Sequence, residues 1–562
     1  MSAEPAASEA SEASPSTGAP ASASPVGIDV RQLGWIRPLV GDYAFDFGRI
    51  APLYAGDPSS PQAWRDAIDR RHGHPGNTVR IAQVLAAQQE RRGAPRAARE
   101  AAARLGDSTT VAVVTGQQAG AFGGPLFTLL KAVTAIQLAR KVSTEQGAAV
   151  VPVFWVDAED HDWEEVRSCT VLDSEFQPAT ITLANPEGAG ELPIAALMLD
   201  ERIGESLAAL TAALPSTDFT EAITGSLRSA YLPGTNMAGA FATWIESLLG
   251  PYGLVVFESA DPAAKQLAGP VFLHELRAPG RTSALAATAG SQLAARGHDP
   301  QVVPQPDSLA LFHLNGVRRA IRRQGDGFII GDTSVSAQAL VHEAETDPSR
   351  FSPNVLLRPV VQDTLFPTIC YVAGPSELAY LGQLGGVYEH FGIPMPLMFP
   401  RASATLVDSS AARFLSKYDF RLADLRPQDE SALNRLLQSQ LPPEVEQSLK
   451  DAEDAIRAAL QRVIDAMPAL DPTLAGAART TVGKMEHDLR SLQSKVIQAA
   501  KRRDDTLRRQ FTRAQAQIFP TGHPQERTLG MVFFLNRYGP ALVDRLLEEL
   551  PLEMGRHWVV TI

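Results

Sequence analysis

Apolar residues fall along this chain in two rhythms. The first is the short continuous run. Residues 109–114, 150–156, 254–258 and 368–372 are each rich in β-branched or aromatic side chains. Runs of that length, bounded by turn formers, predict strands buried on both faces. The first run leads into a glycine-rich stretch at 115–125, then a helical pattern over 126–141, then the second run. Strand, turn, helix and strand make one βαβ unit, which predicts a parallel sheet. The run at 368–372 repeats the plan, with Ala373-Gly374-Pro375-Ser376-Glu377 after it and a helix expected from Leu378. Further helices are expected over 61–71, over 78–105 with a break at 93–95, and from Asp261-Pro262 onward. Asn315-Gly316 between extended runs predicts a hairpin at 313–320.

The second rhythm is a stripe stepping by threes and fours. Val482, Met485, Leu489, Leu492, Val496 and Ala499 carry it, with charged and amide residues between them. An earlier arm repeats it through Val445, Leu449, Ala452, Ile456, Leu460, Val463 and Met467. Pro468 and Pro472 bracket a break. Heptad spacing on both sides of a break predicts a two-helix antiparallel coiled coil, with a spare apolar face available for dimerisation. The strand-like residues 557–562 are expected to return the C-terminus to the body.

Composition narrows the class. An apolar fraction of 44% with 20% charged residues is that of an ordinary globular protein. A net charge of -12 argues against general nucleic-acid binding. Residues 1–25, mostly Ala, Ser, Pro and Glu, are expected to be a disordered tail. No apolar run is long enough for a membrane span, and the first residues lack the basic and apolar regions of a secretory signal, so a cytoplasmic protein is expected. Only Cys169 and Cys370 are present, which argues against a disulfide scaffold or a cysteine-rich zinc site.

The candidate chemistry sits where strands end. Glu159-Asp160-His161-Asp162 follows the run at 150–156, and ligands of open α/β sheets bind at the carboxyl ends of strands. Carboxylates beside an imidazole favour its charged form and suit general-base work, with His161 as base and Glu159, Asp160 and Asp162 around it. The same carboxylates suit a divalent cation, or a cap on a helix starting at Asp162. In the glycine-rich turn, Gln117, Gln118, Gly120 and Pro125 are candidate ligand contacts, with the following helix start favouring an anion. Lys131 is either an anion contact or solvated. A third group comprises Asn354, Arg358, Gln362, Gly374, Glu377 and Tyr380, and Arg401 follows another apolar run. Arg358 suits a carboxylate or phosphate, and Glu377 suits a helix cap or a ligand contact. No dinucleotide fingerprint, Walker A, HExxH, paired CxxC or Gly-x-Ser-x-Gly is present.

These motifs match as a set. Val114 to Gly120 with Gly124-Pro125-Leu126, Pro152 to Asp162, Thr364 to Thr368, Gly374 to Tyr380, Pro400-Arg401, and Phe519-Pro520 with Gln525-Glu526-Arg527 resemble the bacillithiol biosynthesis cysteine-adding enzyme family. The resemblance runs from about Val26 to Ile562. It implies an α/β fold with a Rossmann-like parallel sheet core, inserted connecting segments, and a C-terminal antiparallel α-helical coiled coil supporting a homodimer. The expected divisions are a core over 26–425 with insertions at about 168–250 and 280–350, a coiled coil over 426–518, and a returning segment over 519–562. The implied activity is amide formation between L-cysteine and glucosaminyl-malate, in which Arg358 or Arg401 would hold the malate carboxylates and Glu159 and Glu377 an ammonium; the charge and the apolar runs point to no nucleic-acid or membrane partner. The chain has no HIGH or KMSKS-like pair. The sequence therefore leaves open whether ATP, another nucleotide or a divalent cation takes part. Two rival classes also stay open: a metabolite- or nucleotide-binding coiled-coil scaffold, and a metal-dependent hydrolase or nucleotidyltransferase.

Overall fold

The computed structural model describes residues 24–562 apart from 75, 441–442, 467–473 and 504. Residues 1–23 of the expected tail lie outside the described residues, as do Met467, Pro468 and Pro472.

Five parallel strands form the centre: β1 (Val111–Gln118), β2 (Val150–Asp157), β3 (Val255–Glu258), β4 (Thr368–Ala373) and β5 (Leu397–Pro400). Their order is β5-β4-β1-β2-β3. Successive strands leave β1 first to one side and then to the other, so the sheet has its switch point between β1 and β4. Both faces are covered, which is why these strands read as unbroken apolar runs. The helix Leu126–Gln146 makes the β1–β2 crossover and is buried along most of its length. β1 runs four residues past the apolar run read from sequence, because it pairs with β2 as far as Gln118 opposite Asp157. Gln117 and Gln118 therefore stand on a strand end, and the turn proper begins at Ala119. The helix expected from Leu378 starts earlier, at Pro375.

Two long connections decorate the sheet. Between β2 and β3 lie the hairpin Ser168–Leu172/Pro178–Thr182 and the helices Arg202–Ala213, Thr220–Ala230 and Met237–Leu249. Between β3 and β4 lie the helices Pro262–Arg277 and Arg281–Ala295 and a five-stranded antiparallel sheet. That sheet contains the predicted hairpin, Ser308–Asn315 against Val317–Gln324. It turns at Gly316, whose φ of +74° strains any other residue. Its edge strand Phe351–Pro353 leads towards the helix Arg358–Leu365.

After β5 the strand Ser403–Val407 pairs in parallel with the C-terminal strand Arg556–Thr561, which pairs antiparallel with Val26–Asp29. Two long helices, Pro443–Ala466 and Leu474–Arg503, form the arms, bridged by Arg457 and Glu486 at 3.2 Å. Val445, Leu449, Ala452, Ile456 and Leu460 are half-buried, as the stripe requires. The stripe continues through Ile464 rather than Val463, which is 46% exposed. In the second arm Val482, Leu489 and Val496 face inward, while Met485 and Leu492 remain 45% and 51% exposed. Among the described residues no helix is long and apolar enough to cross a membrane.

Candidate active site

A cavity of about 730 Å³ opens at the carboxyl ends of the parallel strands, beside the switch point. β1 supplies Gly116, Gln117 and Gln118 to its wall, β2 supplies Trp155 and Asp157, and β4 supplies Tyr371. The antiparallel insertion adds Phe312, Arg318 and Pro353.

Most of the predicted charged contacts prove to be paired within the protein. Lys131 is buried, not solvated. It forms an ion pair with Glu377 at 2.5 Å and donates to the Gly116 carbonyl at 2.7 Å and to Gln117 Oε1 at 3.1 Å. Burial drives the Lys131 pKa down, with Glu377 resisting. Burial works the other way on Glu377. There the Lys131 ammonium, the Gly374 N–H at 2.6 Å and the Tyr371 hydroxyl at 2.8 Å outweigh it and hold the carboxyl below its ordinary value. Glu159 is paired with Lys265 and accepts from Ser352 Oγ at 3.0 Å. Arg401 grips Glu526 through both terminal nitrogens, at 2.7 and 3.0 Å. So the ammonium role read for Glu159 and Glu377 is already filled by lysines of the chain, and the charge of Arg401 is committed to Glu526.

The acidic stretch does not act as one cluster. Asp162 is exposed and caps the short helix Trp163–Val166 through the Glu165 N–H. Asp160 faces the cavity, held by Gln118 Nε2 at 2.8 Å and the His161 N–H at 2.7 Å. His161 does not line the cavity. It stands beside it, with Nδ1 at 3.5 Å from both Asp160 Oδ1 and Arg318 Nη1, and its side chain is 44% exposed. Among the described residues no group of three His, Cys, Asp or Glu converges as metal ligands.

Arg358 is buried in the cavity wall, where Tyr380 Oη and Gln362 Oε1 accept from it at 3.0 and 3.1 Å. Its Nε lies 4.0 Å from Asp157 Oδ2, a loose contact. Burial raises the Tyr380 pKa to about 12, so that hydroxyl stays protonated. Gln362 is buried behind Arg358 and also donates to Asp363 at 2.9 Å; it supports the site without lining it. Asn354 lines the cavity, but its Oδ1 caps the turn into the Arg358 helix through the Leu356 and Leu357 N–H groups. Gly374 completes the wall.

The glycine turn is placed differently from its reading as an anion cradle. Gly120 packs against Gly124, where a Cβ would sit 2.9 Å from the Gly124 Cα. Pro125 lines a separate cavity of about 400 Å³, and the following Leu126 N–H is taken by the Leu529 carbonyl at 2.8 Å.

Sequence reasoning gave no role to Asp157, Arg318 or Arg527. Asp157 had a signal, since it lies two residues after Trp155 and so on the same face of β2. Burial pushes its carboxyl pKa up, against Arg358 and Arg318. Arg318 had no local signal. It donates to the Pro353 carbonyl at 3.0 Å and stacks on Phe312 at 3.8 Å within the insertion's own sheet, and it reaches the site, 3.5 Å from Asp160 Oδ1, only because the insertion packs over the end of β2.

A parallel sheet of this order, with a charged cavity at its switch point and two long C-terminal helices, defines a Rossmann-like α/β protein with a coiled-coil domain. The chain belongs to the bacillithiol biosynthesis BshC family. The model of that family's N-terminal Rossmann-like domain matches residues 28–402, and that of its C-terminal coiled-coil domain matches residues 404–562. The chain is similar to proteins named "Putative cysteine ligase BshC". One from Salinibacter ruber is 35% identical over 539 residues, covering 94% of this chain and 97% of that protein. One from Symbiobacterium thermophilum is 33% identical over 554 residues, with the same shares. One from Koribacter versatilis is 34% identical over 476 residues, covering 84% and 88%.

Proposed function

We propose that this chain is a cysteine ligase that joins the carboxyl carbon of L-cysteine to the amine of glucosaminyl-malate, forming the amide of bacillithiol. What carries the reading is that relatives bearing the ligase name match the chain over nearly its whole folded length. The chemistry of the cavity agrees with it. Lys131, Lys265 and Arg401 are matched to their own carboxylates, whereas Asp157 and Asp160 are held more loosely, 4.0 Å from Arg358 and 3.5 Å from Arg318, which leaves those two carboxylates for substrate ammonium groups and Arg358 for a carboxylate. Amide formation from a free acid releases water, so the cysteine carboxyl group enters in an activated form. The amine nitrogen attacks that carbon, the C–N bond forms as the leaving group departs, and the amine proton passes to His161. Asp160 holds His161 in place from the cavity side.

The working enzyme in this reading is a cytoplasmic homodimer joined through its coiled coil. Its two cysteines are free and buried, which suits a reducing compartment. Val463, Met485 and Leu492 give the arms an exposed apolar surface. The test is to incubate pure protein with L-cysteine, glucosaminyl-malate and ATP and to follow product by mass spectrometry. Formation of the cysteinyl amide is expected. No product with ATP or any other nucleoside triphosphate, with or without added magnesium, would end the ligase reading.

A further inference from the structure

Three guanidinium groups without a carboxylate partner surround a cavity next to the candidate site. This cavity, about 320 Å³, lies where the N-terminal segment, the ends of β4 and β5 and the segment after the coiled coil meet. Five arginines line it: Arg37, Arg401, Arg426, Arg527 and Arg556. Two of these are spent internally, Arg401 on Glu526 and Arg556 on Glu553 at 3.0 Å. Those glutamates are the two carboxylates lining the same cavity. Arg37, Arg426 and Arg527 are left with no carboxylate within 4.0 Å among the described residues. Arg426 rests instead on the Trp35 ring at 5.7 Å, and Arg527 lies 5.9 Å from the Phe127 ring.

Arg527 occupies the junction. It lines this cavity, the main one and the 400 Å³ cavity beside Pro125. Burial and the charges of Arg401 and Arg37 work against its own charge, with Glu526 and Glu165 opposing them. Arg527 and Arg426 are exposed and Arg37 half-buried, and five guanidinium groups around one cavity with carboxylates for only two of them favour an anionic ligand. A guanidinium fork fits a carboxylate or phosphate through two parallel hydrogen bonds.

We propose that Arg527, with Arg37 and Arg426, forms an anion subsite that takes the dicarboxylate end of the acceptor substrate. The identity of the ligand rests on the ligase reading; the subsite itself does not. The two cavities share Gly374, Pro375, Ser376, Arg401 and Arg527 as wall. A malate group held at that seam leaves the sugar and its amine directed into the main cavity, towards Asp157 and Asp160. A phosphate group offers the same chemistry, so the experiment has an arm for each source.

The measurement is calorimetric binding to the full-length chain, without turnover, of glucosaminyl-malate, glucosamine and pyrophosphate. Wild type is expected to bind glucosaminyl-malate at least about tenfold more tightly than glucosamine, an advantage that shrinks with added salt. Arg527→Met is expected to erase that advantage and leave glucosamine binding unchanged, while Arg527→Lys retains part of it. Arg426→Met, at an exposed position, is expected to weaken glucosaminyl-malate binding with the unfolding temperature unaltered. If Arg527→Met weakens pyrophosphate alone, the subsite stands and its ligand is a phosphate. If both substitutions leave glucosaminyl-malate and pyrophosphate binding at wild-type strength, the subsite is overturned. A chain that binds glucosaminyl-malate through Arg527 but never forms the amide would sink the ligase reading and leave the subsite intact.

Discussion

At the scale of the residue, the site is decided by which charges are already paired. Lys131 and Glu377 show the consequence. Both side chains are largely withdrawn from solvent, at 3% and 21% exposure, and each offsets the desolvation of the other. Lys131→Met leaves the Glu377 carboxylate buried beside Tyr371 without its cation and is expected to cost about 3–5 kcal/mol in urea unfolding. Lys131→Met with Glu377→Gln is expected to cost less than the sum of the two single changes, since neither partner is then stranded. His161 belongs to the opposite class, at 44% exposure. His161→Ala is expected to leave the fold intact and lower kcat by about 10²–10⁴-fold, with little change in the KM for cysteine. Unchanged turnover would remove His161 as the base. Asp157→Asn is expected instead to raise the KM of a substrate bearing an ammonium group. The sequence made the charged residues visible but not their pairing. Arg401 and Glu526 are 125 residues apart, and only the folded chain tells a committed guanidinium from one open to ligand.

At the scale of the element, periodicity was a good guide wherever an element is stabilised by its own pattern. The runs that became β2 and β4 are buried on both faces and lie nearly where the sequence put them. β1 is the exception that shows the mechanism. Gly116-Gln117-Gln118 has little intrinsic strand preference, yet pairing with β2 carries the strand through it and so delivers both amides to the cavity rim. The arms give a second case. A heptad stripe identifies which residues of a helix are apolar, not which apolar residue its partner helix covers, and Val463 and Ile464 exchange roles for that reason. The exposed Met485 and Leu492 make the proposed dimer testable. Met485→Asp with Leu492→Asp is expected to convert the dimer to a monomer in light-scattering measurements while preserving helical circular dichroism. Leu489→Asp, which places a charge between the two arms, is expected to lower the helical signal itself.

At the scale of the whole molecule, the chain is closed by a three-stranded sheet joining its N-terminal strand, the strand after β5 and its C-terminal strand. His557 is buried beneath that closure. Its Nδ1 meets Ser403 Oγ and its Nε2 meets Thr405 Oγ1, both at 2.8 Å. Hydroxyls can donate or accept, so they satisfy either neutral tautomer. The Trp35 ring stands edge-on at 6.4 Å, and the charged neighbours are Glu526 and Arg401. Burial holds the His557 pKa below 6.5, Glu526 pulls the other way, and Arg401 adds to the burial. A histidine whose folded pKa is depressed costs nothing while both states are neutral. Once the pH falls below the unfolded value the unfolded chain binds the extra proton, and stability declines until the folded pKa is reached. The urea midpoint is therefore expected to begin falling near pH 6.5, well above the range in which carboxylates titrate. The share of the slope due to His557 approaches about 1.4 kcal/mol per pH unit for its one proton, and His390, also held below 6.5 by burial and by His274, adds to the decline. The Arg401 ion pair enters later. Burial raises the Glu526 carboxyl, but Arg401 and the Ala404 N–H hold it below its ordinary value, so its contribution is lost only as the pH falls further, through that lowered pKa. His557→Asn keeps a donor and an acceptor in the site and removes the titration. It is expected to flatten the decline between about pH 6.5 and 5 while leaving the steeper acid limb in place. A variant with the same slope as wild type in that window would show that the closing sheet does not sense pH through His557.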